Sequence, residues 1–134
     1  MLLPRESKRL LAQAVLQVPE VRRVLKKGWF VLSRGVTPAY ILEELTGQPT
    51  DKGNSTAGIV TNSRLASVIE EDRLGPWVFK NGQLSETAAP EALSHFTSSD
   101  VSVKGANAVD WNGNIGVLAA DGMGGTDGGI WGTL

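Results

Sequence analysis

The chain has 134 residues, enough for one domain with a buried core and too few for two ordinary domains. Hydrophobic residues make up 41% of it and no apolar run approaches the roughly 20 residues of a membrane helix, so we expect a soluble protein without a membrane partner. The absence of cysteine excludes disulfides and thiolate metal sites, and no metal site is predicted. Because no apolar stretch follows the first charges, a secretory signal is not predicted and the cytoplasm is the expected compartment.

Charge is distributed unevenly, although the formal net charge is only −1. Seven of the thirteen Lys and Arg residues fall within Arg5–Lys27, whereas residues 105–134 contain no Lys or Arg and nine glycines. A basic helix can attract nucleic acid, but the near-zero net charge and the lack of interleaved aromatic residues favour a solvated helix face. We therefore expect no nucleic-acid partner.

The first 28 residues are predicted to form a helical hairpin. Leucine, alanine and valine recur at helical spacing over Glu6–Gln17. Pro19 suits the first position of a second helix, which continues to Lys27 and stops at Gly28.

A strand, a glycine turn and a third helix are predicted next. The apolar run Trp29–Ser33 is typical of a buried strand. Within the following RGVTP segment, Thr37 is the predicted helix cap and Pro38 the first helical residue, and the helix ends before Gly47. Such a junction directs backbone N–H groups and the positive end of the helix toward one point, where α/β proteins often hold an anion.

The second half is predicted to add strands and one short helix. Asn81-Gly82 between WVFK and QLS is a strong hairpin signal, because a type I′ turn needs positive φ at both central residues. The other predicted elements are a strand over Thr56–Thr61 in the same sheet, one or two helical turns within Asn62–Gly75, a helix over Pro90–Phe96, and strands over Asp100–Lys104 and Gly116–Ala120.

This order of elements predicts a single α/β domain with a Rossmann-like layered fold and a mostly parallel sheet within residues 29–134. A parallel strand that ends in a glycine loop normally leads into a crossover helix. Since the chain stops at Leu134 without one, we expect C-terminal elements to be missing, as in the product of a longer gene.

The candidate ligand site consists of three loops that follow predicted strands: Arg34–Thr37, Lys104–Asn114 and Gly124–Thr126. If their strands are parallel, they lie at the same sheet edge, where open α/β sheets bind ligands. Polar side chains there could hydrogen-bond a small anionic or polyhydroxylated ligand while the glycines let backbone amides approach it. The candidate residues are Gly35, Thr37, Lys104, Gly105, Asn107, Asn112, Gly124, Gly125 and Thr126. The alternative is that these glycines only permit tight turns and that Asp110 and Asn112 make local turn bonds.

Known catalytic and cofactor motifs are absent. The sequence has no P-loop, no complete dinucleotide fingerprint and no nucleophile elbow, so no cofactor is identified. The only histidine, His95, is interpreted as a surface or packing residue.

The segments RGVTPAYILEEL, TAGIVTNSRL and VKGANAVDWNGNIGVLAADGMGGT resemble a group of prokaryotic proteins near the superfamily of ribose-5-phosphate isomerase, glucosamine-phosphate deaminase and CoA transferases. The resemblance covers roughly residues 25–130 and centres on a strand followed by a GAD-x-x-D type turn, here Gly105–Asp110. It implies a layered α/β fold that binds a phosphorylated sugar, a nucleotide or a CoA-type anion.

The positions of this chain that match the catalytic residues of that superfamily hold other residue types. Lys104 stands where its isomerases have the first acid, and the glutamates of the second half, Glu86 and Glu91, fall in a predicted surface hairpin or helix. Asp110 is the one candidate acid/base.

The sequence leaves two hypotheses for the function. The first is a ligand-binding, enzyme-like domain; the second is a non-catalytic sensor or assembly module whose Trp29, Trp77, Trp111 and Trp131 partly form a homo-oligomer interface.

Overall fold

The computed structural model of the chain describes residues 1–61, 64–118, 122, 128 and 130. In chain order the elements are α1 (Pro4–Val15), α2 (Pro19–Lys26), β1 (Trp29–Leu32), α3 (Val36–Thr46), β2 (Gly58–Thr61), β3 (Arg64–Ser67), a 3₁₀ turn (Glu70–Asp72), β4 (Trp77–Lys80), β5 (Gln83–Ser85), α4 (Ala89–Ser94), β6 (Val101–Val103), β7 (Ala108–Val109) and β8 (Ile115–Gly116). No helix within these residues has both the length and the apolar character needed to cross a membrane.

The two helices predicted within the first 28 residues are present as α1 and α2; α1 packs against α3, and the hairpin arrangement stays a prediction. A proline opens each helix, as expected at a position where a backbone N–H would have no partner within the helix. Glu6 accepts a hydrogen bond from the Leu3 N–H at 2.8 Å, which completes the start of α1. The apolar side of α2 buries Val21 and Val24, and its basic residues lie outside the core.

The main sheet is mixed and mostly antiparallel, so the prediction of a Rossmann-like, mostly parallel sheet is wrong. Its strand order is β5-β4-β1-β6, and β1 with β6 is the one parallel pair among them. One neighbour of β1 is β4, which pairs with it antiparallel and is the first strand of a hairpin. A two-residue connection can join only antiparallel strands, so β4 and β5 make this half of the sheet antiparallel.

The Asn81-Gly82 hairpin is confirmed. Lys80 pairs with Gln83 across the turn, and φ is 52° at Asn81 and 77° at Gly82. Positive φ at both central residues is the geometry of a type I′ turn, whose twist matches that of the flanking strands.

The predicted strand over Thr56–Thr61 exists as β2, but it does not join the main sheet. It pairs with β3 in a separate antiparallel hairpin, with Gly58 opposite Ser67. Of the one or two helical turns predicted within Asn62–Gly75, the structure has one 3₁₀ turn, and Arg64–Ser67 form the strand β3 instead. The apolar spacing there is too short to distinguish a helical turn from a strand followed by a bend.

The last predicted strand, Gly116–Ala120, is also corrected. The observed strand β8 ends at Gly116 and pairs with β7 in a third, two-stranded sheet, so it is not a member of the main sheet. Residues 119 and 120 lie outside the described part of the chain.

The two faces of the main sheet carry separate apolar clusters. Phe30 and Leu32 of β1 pack with residues of α1, α2 and α3, among them Ile41. Val31, on the opposite face, packs with Val78 and with residues of α4. This alternation along β1 is the two-residue period of a strand buried on both faces. The helix α3 is thereby held against the sheet beside the end of β1.

Candidate functional site

The ends of β1 and β6 lie side by side, as the sequence predicted for the first two loops. Leu32 is opposite Val103 in the parallel register, and the Ser33 N–H extends the ladder by donating to the Val103 carbonyl at 2.9 Å. The chain therefore leaves both strands at the same sheet edge. Lys104, which follows Val103 directly, is exposed at that edge.

The helix α3 begins at this edge, two residues earlier than predicted. Gly35, not Thr37, is the residue that precedes the helix, and no side chain in the described part of the chain caps this end. The first hydrogen bond of the helix runs from the Ala39 N–H to the Gly35 carbonyl, at 3.0 Å. The N–H groups of Val36 and Thr37 precede it and therefore have no acceptor within the helix. Because proline fits any position of the first turn, Pro38 did not specify where the helix starts.

A hydrogen bond to the 51–55 turn also fixes the position of Gly35. Its N–H donates to the Ser55 carbonyl at 2.6 Å. Ser55 is fully buried, and its hydroxyl donates to the Asp51 carbonyl. The loop that leads into α3 is therefore anchored to the 51–55 turn rather than free to move.

Gly105 brings the β6 loop against the start of α3. A Cβ atom at Gly105 would lie 3.7 Å from Pro38 Cδ and 3.9 Å from Thr37 Cβ. The structure thus gathers Gly35, Thr37, Lys104 and Gly105 at one edge. Arg34 is drawn aside, because its Nε donates to the Gly75 carbonyl at 2.9 Å.

Asn107, Asp110 and Asn112 belong instead to the β7–β8 hairpin. The Asn107 side-chain oxygen accepts a hydrogen bond from the Leu118 N–H at 2.9 Å. The Asp110 carboxylate accepts bonds from the backbone N–H groups of Asn112 and Asn114, at 2.8 and 2.9 Å, and from the Asn114 side-chain amide at 2.8 Å. This is the local turn bonding that the sequence left as the alternative.

The same contacts decide the charge of Asp110. The hydrogen bond from the Asn114 side chain, followed by the bonds from backbone N–H groups, lowers the pKa of Asp110 below its ordinary value. A carboxylate that stays ionised and accepts three hydrogen bonds is poorly suited to donate a proton. Its role as acid/base stays a prediction, while its role in the turn is observed.

The third predicted loop, Gly124, Gly125 and Thr126, lies outside the described residues. The reason for placing it at the same edge is wrong, because β8 pairs with β7 and not with the main sheet.

Sequence reasoning missed Ser33. Its side chain is 1% exposed, and its hydroxyl has no hydrogen-bond partner among the described residues. Strand alternation places Ser33 on the face of Val31, which is opposite the face that α3 covers. The only signal was a serine at the end of the apolar run that forms β1.

Two surface depressions lie away from this edge. One, of about 450 Å³, follows the β4–β5 hairpin from Lys80 to Ser85. The other, of about 240 Å³, is lined by Arg5, Glu6, Arg9 and Tyr40. Neither contains a residue of the predicted site.

Comparison with known proteins does not identify this edge. No protein-family model, no curated protein and no solved structure matches the chain.

Proposed function

We propose that the chain binds a small anion where β1 and β6 end and α3 begins. The observation that carries the proposal is the meeting of the uncapped start of α3 with the Lys104-Gly105 loop in the β1–β6 parallel register. The site consists of the first-turn amides of Val36 and Thr37, the Thr37 hydroxyl and the Lys104 ammonium.

The physical basis is the concentration of positive charge at one point. The aligned peptide dipoles of an eleven-residue helix place a partial positive charge at its N-terminus. First-turn N–H groups without side-chain acceptors can donate to anionic oxygens there. Lys104 adds a full charge from the neighbouring strand, and Gly105 adds no side chain that would fill the space beside Thr37.

The ligand class rests on the resemblance drawn from the sequence. We propose a phosphorylated sugar, a nucleotide or a CoA-type anion, since each presents a phosphate to such a site. Binding is the proposed function and catalysis is not part of it, because Asp110 is engaged in the β7–β8 turn. The relationship to the isomerase and CoA transferase superfamily stays a prediction.

Thermal unfolding in the presence of anions tests the proposal. A ligand that binds only the folded state raises its stability in proportion to the logarithm of ligand concentration above Kd. We expect ribose 5-phosphate, a nucleotide, CoA or inorganic phosphate to raise Tm, and Lys104→Ala to abolish that rise. Lys26→Ala is the matched control, since it removes an exposed lysine from the last turn of α2 and should keep the shift.

A steric variant separates binding at this edge from general charge attraction. Gly105→Ala adds a methyl group at ordinary contact distance, 3.7 Å from Pro38, so its effect on folding should stay below about 1 kcal/mol. The methyl group narrows the space beside Thr37 and should weaken the anion-induced shift. No shift with any of the four anions, or an equal shift in Lys104→Ala and the wild type, would refute the proposed site.

A further inference from the structure

The β7–β8 hairpin exposes an apolar face. Val109 and Ile115 stand directly opposite each other in the register, so their side chains share one face, and they are 67% and 70% exposed. Trp111, in the connecting turn, is fully exposed. Val117 and Leu118, which follow β8 directly in the chain, are also exposed, at 39% and 77%. We call these five side chains the hairpin patch.

The turn that carries Trp111 is held in one conformation. Asp110, which precedes Trp111, accepts hydrogen bonds from the backbone N–H groups of Asn112 and Asn114, which follow it. The Gly113 N–H also donates to the Asp110 carbonyl at 3.1 Å. The conformational entropy of this turn is therefore lost on folding rather than on binding. A rigid aromatic side chain on an ordered turn contributes to an interface at little further entropic cost.

Charge around the patch is compatible with self-association. Residues 105–118 contain no Lys or Arg, and Asp110 is their only acid. Its carboxylate is satisfied by bonds within the turn. Depletion of charged side chains together with an exposed tryptophan is typical of the centre of a protein interface. Within residues 105–118, Asp110 is thus the one formal charge that each copy would bring to the contact.

The area of the patch approaches, but does not reach, one side of a standard protein interface. An exposed tryptophan offers about 200 Å², and with four aliphatic side chains the patch offers on the order of 600 Å². A standard interface buries about 800 Å² on each partner. The hairpin is moreover a two-stranded sheet, which gains stability when further strands or a second apolar face cover it.

We propose that the hairpin patch packs against the same patch of a second copy across a two-fold axis. Such an isologous contact is the commonest arrangement in homo-oligomers and needs one self-complementary surface. The contact is independent of the anion site, because it uses residues 109–118 and not the start of α3.

Sedimentation equilibrium across the micromolar range tests the contact. We expect the apparent mass to rise with concentration from the 14.2 kDa of one chain toward twice that value. Trp111→Ser and Ile115→Ser should each weaken association by about tenfold or more, as for a central interface residue. Ile69→Ser is the matched control: Ile69 is 67% exposed but lies beside the acidic 3₁₀ turn, and the variant should associate like the wild type. Circular dichroism establishes that all variants are folded.

Quenching of tryptophan fluorescence by acrylamide shows whether another part of the chain covers the patch. The contribution of Trp111 is the difference between the wild type and Trp111→Ser. A wild type that stays at the mass of one chain overturns the proposal. Shielding of Trp111 from acrylamide would then assign the patch to another part of the same chain, and free access to acrylamide would leave the surface open. Undiminished association in Trp111→Ser, or equal weakening by Ile69→Ser, also overturns it.

Discussion

Asn81 and Gly28 exchange two hydrogen bonds. The Asn81 N–H donates to the Gly28 carbonyl at 2.9 Å, and the Asn81 side-chain oxygen accepts from the Gly28 N–H at 3.0 Å. One residue of the β4–β5 turn therefore satisfies both backbone groups of the residue that joins α2 to β1. The hairpin turn is part of the packing of the N-terminal helices as well as a connection between strands.

Asn81→Ala should destabilise the fold by about 1–2 kcal/mol, since it removes an exposed hydrogen bond to the Gly28 N–H and places a residue with no local hydrogen bond at positive φ. Asn81→Asp keeps an acceptor and tolerates the same φ, so its loss should be markedly smaller. Urea unfolding of both variants measures the difference. Equal losses would show that the bond to Gly28 contributes nothing.

Gly82→Ala should cost more than the same change at Gly113. Both glycines have positive φ, 77° and 83°. A Cβ at Gly82 would lie 2.6 Å from the Leu25 carbonyl oxygen, whereas a Cβ at Gly113 meets nothing within 4 Å. We expect about 1 kcal/mol for Gly113→Ala from backbone strain alone, and more than about 2 kcal/mol for Gly82→Ala because main chain must move. Urea unfolding measures both, and similar losses would contradict a close approach of the turn to α2.

Local signals predicted much of this fold because they act over a few residues. Pro19, the Asn81-Gly82 pair and the apolar run of β1 each specify a conformation within their own segment. The partner of β1 was not predictable in the same way. Pairing is decided by long-range packing, and a run such as Thr56–Thr61 is equally compatible with a place in the main sheet or in a separate hairpin.

The candidate site was predicted in part for the same reason. Lys104 and Thr37 reach one edge because the strands before their loops, β1 and β6, are parallel, which is the condition that the prediction of the site required. Asn107 and Asn112 were assigned to that edge although they form the β7–β8 hairpin. A glycine-rich turn after a strand has the same composition whether it cradles a ligand or reverses the chain.

Glu43 should make stability depend on pH in the acid range. Partial burial raises the pKa of Glu43, but hydrogen bonds from Lys52, the Thr50 N–H and Arg9 outweigh it and lower the pKa from 4.5 to about 2. A carboxyl whose pKa is lower in the folded state contributes stability that is complete above the unfolded pKa. This contribution is lost as the pH falls from about 4.5 toward 2.

Glu43→Gln should therefore flatten the decline of unfolding free energy below pH 4.5, by on the order of 1–3 kcal/mol. The lower part of this range allows for solvent screening of Arg9, whose side chain is 46% exposed. Urea unfolding at a series of pH values measures the effect. Glu86→Gln removes an exposed carboxyl from a loop and should reproduce the wild-type profile. A Glu43→Gln profile parallel to the wild type would contradict the assignment.

Ser33→Ala should leave stability unchanged or raise it, in contrast to Ser55→Ala. Both serines are almost completely buried, but the Ser33 hydroxyl has no partner among the described residues, whereas the Ser55 hydroxyl donates to the Asp51 carbonyl. A buried hydroxyl without a partner costs about 1–3 kcal/mol of desolvation, which alanine avoids. Removing the buried Ser55 hydroxyl takes a hydrogen bond away from the Asp51 carbonyl and should cost about 1–2 kcal/mol. Thermal unfolding should show a loss of stability in Ser55→Ala and no loss in Ser33→Ala if this account of Ser33 is right. A loss in Ser33→Ala equal to that in Ser55→Ala would show that water or another group satisfies the Ser33 hydroxyl in solution.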